Sequence, residues 1–281
     1  MAVKYGAQEV VSRLRDVRKA GGLIIIAAVG SGLSAKSSEK GGADIIATYS
    51  IAKYRMMGFS RVSYLPICDA NAITEDLGKN EILPIVQDAP VIAGVFAPNP
   101  TLDLPYLLDE YVRLGFSGVM NCPTVALLDG WYRESLEDMG MGYQKEVELT
   151  RLAVERDLFT QPFAATPEEA EQMVEAGAHM VIAHMGGTVP VDDPEEKKKQ
   201  IIEAAESCTP ILEAVKKLNE DVFVAIHGGP IAFPDDVREL RKHVPVLDGF
   251  LGGSSAERLP VEGPIRKAIS DFKSITHIYC V

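Results

Sequence analysis

Two histidines of this sequence stand at the ends of short apolar runs, in Val-Ile-Ala-His at 181–184 and Val-Ala-Ile-His at 224–227. An imidazole at a strand end can serve as a general acid, as a general base or as a hydrogen-bond donor to an oxyanion. A lone histidine of this kind is more often a structural residue, but two at equivalent strand ends favour a shared site. The sequence therefore predicts His184 and His227 as an acid–base pair.

Glycine-rich segments follow the same kind of apolar run. Gly228-Gly229 comes directly after His227, and Gly252-Gly253-Ser254-Ser255 follows the run that ends at Leu251. In barrels of eight β/α units the last two loops often bind phosphate through backbone N–H groups, which glycine lets a ligand approach closely. The pattern predicts an anion site, which Glu257 and Arg258 close unless they only pair with each other at a helix start. The alternative is that these glycines merely turn the chain.

The segment Gly30-Ser31-Gly32 also follows an apolar run and satisfies a relaxed dinucleotide-binding pattern. No acid ends the next run, where such a site would bind a ribose, and no Gly-Lys-Ser/Thr follows at the spacing of a P-loop. We favour a backbone nest for an anion, with Lys36 nearby, over a dinucleotide site. A plain tight turn is the remaining alternative.

Several polar residues fall in the connections between the apolar runs. Tyr49, Asn71 and Asn121 are candidate ligand contacts, and Asp69 joins the histidines as a candidate catalytic residue, although an Asx turn would equally explain Asp69 and Asn71. The long, irregular stretch 129–143 is a candidate cover for the site. No cluster of metal ligands stands out and no cofactor is implied with certainty. A divalent metal on Asp69, His184 and His227 stays open.

The elements that must position these residues form a repeating pattern of strand, turn and helix. Eight apolar runs are continuous, as expected for parallel strands covered on both faces: 23–29, 43–48, 91–97, 118–121, 158–163, 180–184, 222–227 and 246–251. Helical periodicity follows most of them: 102–114, 143–156, 167–176, 194–218, 234–243 and 260–272. We predict an α/β fold, a single (β/α)8 TIM barrel over residues 23–275 after an N-terminal helix within 1–22, in one domain of 1–281. An open doubly wound sheet is the alternative.

Composition limits the classes of function. The chain has 281 residues with a formal net charge of −12, so it lacks the basic surface that nucleic acid or anionic lipid requires. Its longest apolar run, Leu23–Val29, is too short to span a bilayer, and the first 20 residues read as an amphipathic helix rather than a signal peptide. The four cysteines, at 68, 122, 208 and 280, have no zinc or redox spacing. A cytoplasmic protein with reduced thiols is expected.

Motifs spread over most of the chain carry a family resemblance. They run in order from Gly-Ser-Gly-Leu-Ser-Ala-Lys at 30–36, through Cys-Asp-Ala-Asn at 68–71, Val-Ile-Ala-Gly-Val at 91–95, Asn-Cys-Pro-Thr-Val at 121–125, Met-Gly-Met-Gly-Tyr at 139–143, Ile-Ala-His-Met-Gly at 182–186 and His-Gly-Gly-Pro-Ile at 227–231, to Gly-Gly-Ser-Ser-Ala-Glu-Arg-Leu-Pro at 252–260. Together they resemble the phosphoenolpyruvate-hydrolase-like family, also called the TIM-barrel signal-transduction family, which is similar to the C-terminal domain of a plant tobamovirus-resistance protein. The resemblance implies a barrel of the phosphoenolpyruvate/pyruvate type and a homo-oligomer.

These observations predict an enzyme that acts by acid–base chemistry on a small phosphorylated or carboxylated metabolite, with its site at the carboxyl ends of the strands. The expected partner is thus a small anion resembling phosphoenolpyruvate, phosphonopyruvate or pyruvate, and the reaction is a hydrolysis or a lyase reaction. The alternative is a module that binds a small anion in signalling or assembly without turnover.

Overall fold

The computed structural model describes residues 2–59 and 69–275. Nine strands in this part of the chain lie in one parallel sheet: β1 Ile24–Val29, β2 Ile45–Thr48, β3 Val91–Gly94, β4 Gly118–Met120, β5 Phe159–Thr160, β6 Phe163–Ala164, β7 Met180–His184, β8 Phe223–His227 and β9 Gly249–Gly252. The helices are α1 Ala7–Lys19, α2 Gly32–Lys40, α3 Ser50–Met56, α4 Ala70–Leu77, α5 Leu104–Leu114, α6 Gly130–Asp138, α7 Tyr143–Val154, α8 Pro167–Glu175, α9 Pro194–Leu218, α10 Pro234–His243 and α11 Arg258–Lys273.

The sheet closes into a barrel. Its strand order is β5-β4-β3-β2-β1-β9-β8-β7-β6, so the two end strands are the neighbouring pieces of one segment, 159–164. Within that segment Gln161 N–H donates to Val119 on one side, and Pro162 accepts from Ile182 N–H on the other. The single run predicted at 158–163 is therefore one barrel strand interrupted at its middle. This closure confirms the (β/α)8 TIM barrel and excludes the open doubly wound sheet.

Alternate side chains of the strands fill the interior of the barrel. Ile24, Ile26, Phe159 and Phe223 are fully buried there and pack with the apolar face of α1, which buries Leu14 among other residues. The N-terminal helix therefore covers the end of the barrel at which the strands begin. The opposite end, where the strands finish, is left for a site.

Helix starts follow the sequence signals closely. The side chains of Asp103, Thr166 and Asp193 each accept a hydrogen bond from a backbone N–H of the first turn of α5, α8 and α9, and proline follows each cap. The stretch 129–143, expected to be irregular, instead contains α6 and the start of α7. None of the helices in residues 2–59 and 69–275 is long and apolar enough to cross a membrane.

Some predictions fall on residues outside the described ranges. These are the extended segment at 62–67 and the thiols of Cys68 and Cys280. The other two cysteines, Cys122 and Cys208, are buried free thiols, as expected for reduced cysteines. The assignment of the whole chain to one domain stays a prediction.

Candidate functional site

The two predicted histidines lie side by side. The parallel register of β7 and β8 places His184 directly opposite His227 at the last paired position of both strands. Their rings meet edge to face, with centroids 4.8 Å apart and planes at 89°. The ring of Phe163, from β6, contacts both at centroid distances of 4.4 and 5.5 Å. Both histidines are buried, so the fold presents a shielded pair of imidazoles at the carboxyl ends of adjacent strands.

Backbone partners assign opposite tautomers to the pair. The Nδ1 of His227 lies 2.9 Å from the carbonyl oxygen of Leu251, which can only accept, so this nitrogen carries the proton. The Nδ1 of His184 instead accepts from the N–H of Gly186 at 3.1 Å. In the neutral rings, Nε2 of His227 is therefore the acceptor, and Nε2 of His184 carries the hydrogen and donates.

Burial keeps both rings neutral at pH 7. Burial, with a smaller effect of the adjacent Arg55 guanidinium, lowers the pKa of His227 to about 4 in spite of the opposing effect of the Leu251 carbonyl. It lowers the pKa of His184 well below its usual value, with His227 adding to the effect. Desolvation disfavours a charged imidazolium, so the pair presents two neutral rings rather than a positive charge.

A buried ion pair between Arg55 and Glu257 lies beside the histidines. The Arg55 guanidinium donates from Nε to Glu257 Oε2 at 2.8 Å, and its Nη2 lies 2.6 Å from the same oxygen and 2.7 Å from the Ala28 carbonyl oxygen. The other oxygen of Glu257 accepts from the N–H of Gly30 at 2.7 Å and from the Ser34 hydroxyl. The turn predicted as an anion nest thus holds the carboxylate of Glu257.

Sequence reasoning missed Arg55 entirely. This arginine lies on α3, inside a long connection whose helix carried no clear signal. Of the two alternatives for Glu257 and Arg258, pairing with each other is excluded, because Glu257 bonds Arg55 while Arg258 bonds Glu262 at 3.1 Å one helical turn away. A basic residue in such a connection, together with an acid beside a glycine-rich strand end, is the only sequence signal that could have suggested the Arg55–Glu257 pair.

The backbone of Gly253 lies close over the pair and the ring of His227. A methyl group at Gly253 would sit 3.2 Å from Arg55 Nη1, 3.2 Å from His227 Cε1 and 3.8 Å from the Tyr49 hydroxyl. Tyr49 is itself buried beside Arg55, and burial raises the pKa of its hydroxyl, so this group stays protonated. Glycine at 253 therefore matters through close approach rather than through an unusual backbone angle, since a methyl group there would press on Arg55 and His227.

These groups line a cavity of about 360 Å³ at the carboxyl end of the barrel. Its polar wall consists of Tyr49, Arg55, His184, His227, Ser254 and Arg258. Thr188 and its neighbours in the loop after β7 form another side, and that loop is fixed to the next one by the bond from Val189 N–H to the Gly229 carbonyl. Among the described residues, the Nε of Arg258 is buried without a hydrogen-bond partner. The cavity thus offers hydrogen-bond donors on several sides.

Three predicted site residues, the candidate catalytic Asp69 and the candidate ligand contacts Asn71 and Asn121, do not line this cavity. Asp69 caps α4 through the N–H of Ala72 and lines a second cavity of about 390 Å³. Asn71 holds the backbone of Phe96 with both ends of its amide, at 2.8 and 3.1 Å. Asn121 does the same to the backbone of Phe163, at 2.6 and 3.1 Å. The structure does not bring these three side chains together with the histidines, and their roles toward a ligand stay predictions.

Asn121 also belongs to a buried network around Glu146. That carboxyl group accepts from the Asn121 amide, from the Thr124 hydroxyl at 2.7 Å and from the N–H of Val125 at 2.7 Å. Burial raises the pKa of Glu146 to about 8 in spite of these bonds. The network connects β4 to α7, and its groups are fully engaged with one another.

The remaining predicted residues do not line this cavity. Gly228 and Gly229 have φ values of +87° and +61°, and Gly228 packs directly on the backbone of Gly186. Gly252 and Ser255 line a third cavity on the outside of the barrel. Ser31 caps α2, which begins at Gly32, and Lys36 is exposed on that helix. An anion site on these glycines stays a prediction.

The donor chemistry of the described wall of the first cavity does not suit a hard divalent cation. Mg²⁺ prefers carboxylate, carbonyl and water oxygens, whereas this wall presents imidazoles, guanidinium groups and hydroxyls. Asp69 lines a different cavity, and Glu257 is engaged by Arg55. Within the described ranges, no group of three or more His, Cys, Asp or Glu side chains is placed to hold a metal.

Comparisons with known proteins agree with the architecture. The family model described as phosphoenolpyruvate hydrolase-like matches residues 9–275. In Solanum lycopersicum, the ToMV susceptible protein tm-1(GCR26) and the ToMV resistance protein Tm-1(GCR237) are each 40% identical over 268 residues. Each match covers 95% of this chain and 35% of the tomato protein, so the chain spans about a third of the length of these curated relatives.

Solved structures share the fold at low sequence identity. Phosphonopyruvate hydrolase in complex with oxalate and Mg²⁺ has a TM-score of 0.63 at 17% identity, over 94% of this chain and 87% of that chain. The structure of 2,3-dimethylmalate lyase, a PEP mutase/isocitrate lyase superfamily member, has a TM-score of 0.58 at 14% identity, over 98% and 91%. These likenesses support the barrel assignment.

Proposed function

The chain belongs to the phosphoenolpyruvate hydrolase-like family, and on that premise we propose that it is an enzyme acting on a small metabolite with a carboxylate or phosphate group. The fold it shares with a phosphonopyruvate hydrolase and a 2,3-dimethylmalate lyase supports this class of substrate. The reaction takes place in the 360 Å³ cavity at the carboxyl ends of β7 and β8. A cavity of this volume suits a ligand of a few non-hydrogen atoms.

Arg258 is the group that binds the anionic end of the ligand. Its buried Nε lacks a partner in the described residues, and a charge-assisted bond to a carboxylate or phosphate oxygen would satisfy it. The charge of Arg55 is balanced by Glu257, so Arg55 contributes hydrogen bonds rather than net attraction. Ser254, which lines the same wall, adds a hydroxyl donor. With a formal charge of −12, the chain must attract an anion through such local groups.

The histidine pair carries out the proton chemistry. His227 Nε2 accepts a proton from the substrate or from a water molecule, and the Leu251 carbonyl stabilises the imidazolium that forms at Nδ1–H. His184 Nε2–H donates a hydrogen bond to the oxygen on which negative charge develops, a role that suits a neutral imidazole. A bound anion beside the rings raises the pKa of both, which strengthens the base when substrate is present.

The observation that carries this proposal is the pair of opposite tautomers, set by Leu251 and Gly186, in one buried cavity. Oxalate, pyruvate and phosphonopyruvate serve as probes in calorimetric titrations and turnover assays of the wild type, His227→Ala and Arg258→Ala. We expect His227→Ala to bind the best probe within about threefold of wild type but to lose turnover by 100-fold or more. Arg258→Ala should lose affinity at least tenfold. Failure of all three probes to bind the wild type would contradict the proposal.

A binding module without turnover is the second candidate. It is favoured by the low pKa of His227, about 4, which makes the empty site a poor base at neutral pH. The two candidates differ in one measurement. If the chain is a binding module, the wild type binds a probe but converts none of it over hours. The same titrations and turnover assays therefore decide between them.

Two parts of the proposal concern the setting of the protein. The free, buried thiols of Cys122 and Cys208 support a reducing compartment such as the cytoplasm. The family resemblance supports assembly into a homo-oligomer. A backbone anion site at Gly228, Gly229, Gly252 and Gly253 is a further part, which phosphate soaked into crystals would reveal as density beside these glycines.

A further inference from the structure

The cavity beside the histidine pair changes from a buried floor to an apolar mouth. His184 and His227 lie at its floor, where they are 7% and 8% exposed. Ile51, Val189 and Pro190 line the same cavity but reach solvent: Val189 is 45% exposed and the other two are half-buried. A ligand whose reacting atoms meet the imidazoles therefore extends outward past these three side chains, which we call the apolar collar.

The apolar collar faces the cavity from two opposite sides. Ile51 is the second residue of α3, which follows β2, and Val189 lies in the loop after β7. With β5 and β6 counted as the one strand that they form, the path from β2 to β7 round the closed ring is equally long in both directions. The two strands therefore stand opposite each other, and a chain leaving the floor has an apolar side chain on each side of it.

Backbone bonds fix the loop that carries Val189 to the strand of the second histidine. The N–H of Met185 donates to the carbonyl of His227 at 2.8 Å. The N–H of Val189 itself donates to the carbonyl of Gly229 at 2.9 Å. Val189 is thus held at a defined position relative to the imidazoles.

Close packing fixes Ile51 on the other side. The next residue, Ala52, lies so near Gly30 that a methyl group at Gly30 would overlap the Ala52 carbonyl oxygen. The N–H of Gly30 in turn donates to Glu257 at 2.7 Å. The first turn of α3 is therefore packed directly on the end of β1, and both sides of the apolar collar are built into the barrel.

We propose that the substrate is a 2-oxo acid with an aliphatic side chain, and that Val189 is the residue that selects this chain. The inference rests on the proposed function, in which Arg258 binds the carboxylate and the histidines meet the oxo group, so that the side chain crosses the apolar collar. Burial of an aliphatic chain there strengthens binding about fourfold for each methylene. A charged chain gains nothing, because it would lose water without finding a partner.

Calorimetric titration of the wild type with pyruvate, 2-oxobutanoate, 2-oxopentanoate and 4-methyl-2-oxopentanoate tests the chain preference. We expect the affinity to rise about fourfold with each added methylene. The control ligand is 2-oxoglutarate, whose chain ends in a second carboxylate, and it should bind no more tightly than pyruvate. A flat or falling series in a protein that binds pyruvate would overturn the inference and leave the proposed function standing.

Val189→Thr tests whether the apolar collar is responsible. Threonine keeps the shape of valine and adds no charge, so it places a hydroxyl against the chain without changing the field at the carboxylate. The ratio of the affinity for 4-methyl-2-oxopentanoate to that for pyruvate should fall at least fivefold, about the cost of burying an unpaired hydroxyl. Val3→Thr makes the same change at a valine that is 47% exposed, ahead of α1 at the opposite end of the barrel, and should keep the wild-type ratio.

A second variant guards against a local disturbance by the hydroxyl. Val189→Ala shortens the side chain without adding a polar group, and it should lower the same ratio about fourfold or more. A wild-type ratio in both variants would overturn the role of Val189.

The remaining outcomes separate the inference from the proposed function. If oxalate or phosphonopyruvate binds the wild type but no oxo acid does, the inference is wrong and the proposed function stands. If none of these ligands binds, both are wrong. A rise of affinity with chain length in the absence of turnover would support the apolar collar and contradict the acid–base role of the histidines.

Discussion

Arg55 and Glu257 are 202 residues apart in sequence and form a buried ion pair behind the histidines, with Nη2 and Oε2 2.6 Å apart. Arg55 lies on α3, after the second strand, and Glu257 lies just before α11, after the last strand. The pair therefore joins the two sides of the barrel next to β1. Both groups are buried away from water, so removing either one would leave the other as an uncompensated buried charge.

Removing one partner of this pair should be costly. We expect Glu257→Gln and Arg55→Met each to lower the free energy of unfolding by about 3–5 kcal/mol, since a buried charge loses its partner. The double variant should lose much less than the sum of the two. Urea unfolding measures all three, and Glu110→Gln, from the exposed pair with Arg113, is the control that should not change stability. Additive losses would show that the ion pair is not coupled.

The histidines should make the protein less stable as the pH falls. His227 has its pKa lowered to about 4 in the folded state, whereas an unfolded chain protonates near pH 6.5. Between these values the unfolded state binds the proton and the folded state does not, so stability decreases on going from pH 6.5 to pH 4.

A substitution isolates this contribution. Asn at position 227 keeps a donor for the Leu251 carbonyl but does not titrate. Between pH 6.5 and pH 4, the unfolding free energy of His227→Asn should therefore fall by about 3 kcal/mol less than that of the wild type. Unfolding curves at a series of pH values measure the difference. Parallel curves for wild type and His227→Asn would contradict the assigned burial effect.

Gly228 should tolerate no side chain. Its φ of +87° disfavours any other residue, and a methyl group would overlap the carbonyl oxygen of Gly186. We expect Gly228→Ala to cost more than about 2 kcal/mol of unfolding free energy, from strain and overpacking together. Gly21→Ala is the matched control, since Gly21 has a φ of +76° but open space around it, and should cost about 1 kcal/mol. Equal losses would mean that the contact with Gly186 is unimportant.

Gly253 should affect the ligand more than the fold. Its backbone angle is ordinary, but a methyl group would press on Arg55 and the His227 ring at 3.2 Å. Gly253→Ala should therefore weaken binding of the best oxo-acid probe at least tenfold while costing about 1 kcal/mol or less of stability. Calorimetric titration and urea unfolding provide the two readouts. Gly263→Ala, in open space on α11, is the control, and wild-type affinity in Gly253→Ala would disprove a role for close approach here.

The sequence by itself determined the architecture and the position of the two histidines at the ends of adjacent strands. Continuous apolar runs, proline-containing helix caps and their spacing are local signals, and they led to the barrel and to most of its helices. His184 and His227 were predictable because both end parallel strands of neighbouring units, and the carboxyl ends of such strands meet at one rim. The same reasoning found Tyr49 and Ser254 on the cavity wall.

Only the tertiary structure decided the rest, because side-chain direction and long-range partners depend on packing. The amides of Asn71 and Asn121 look like ligand contacts in sequence, yet each turns to hold a backbone segment, at Phe96 and at Phe163. Arg55 contacts Glu257 because the closed ring of strands places α3 beside the residue that precedes α11. The carbonyl of Leu251 in β9 and the N–H of Gly186 after β7 select the tautomer of each histidine, and no pattern of residue types encodes that choice.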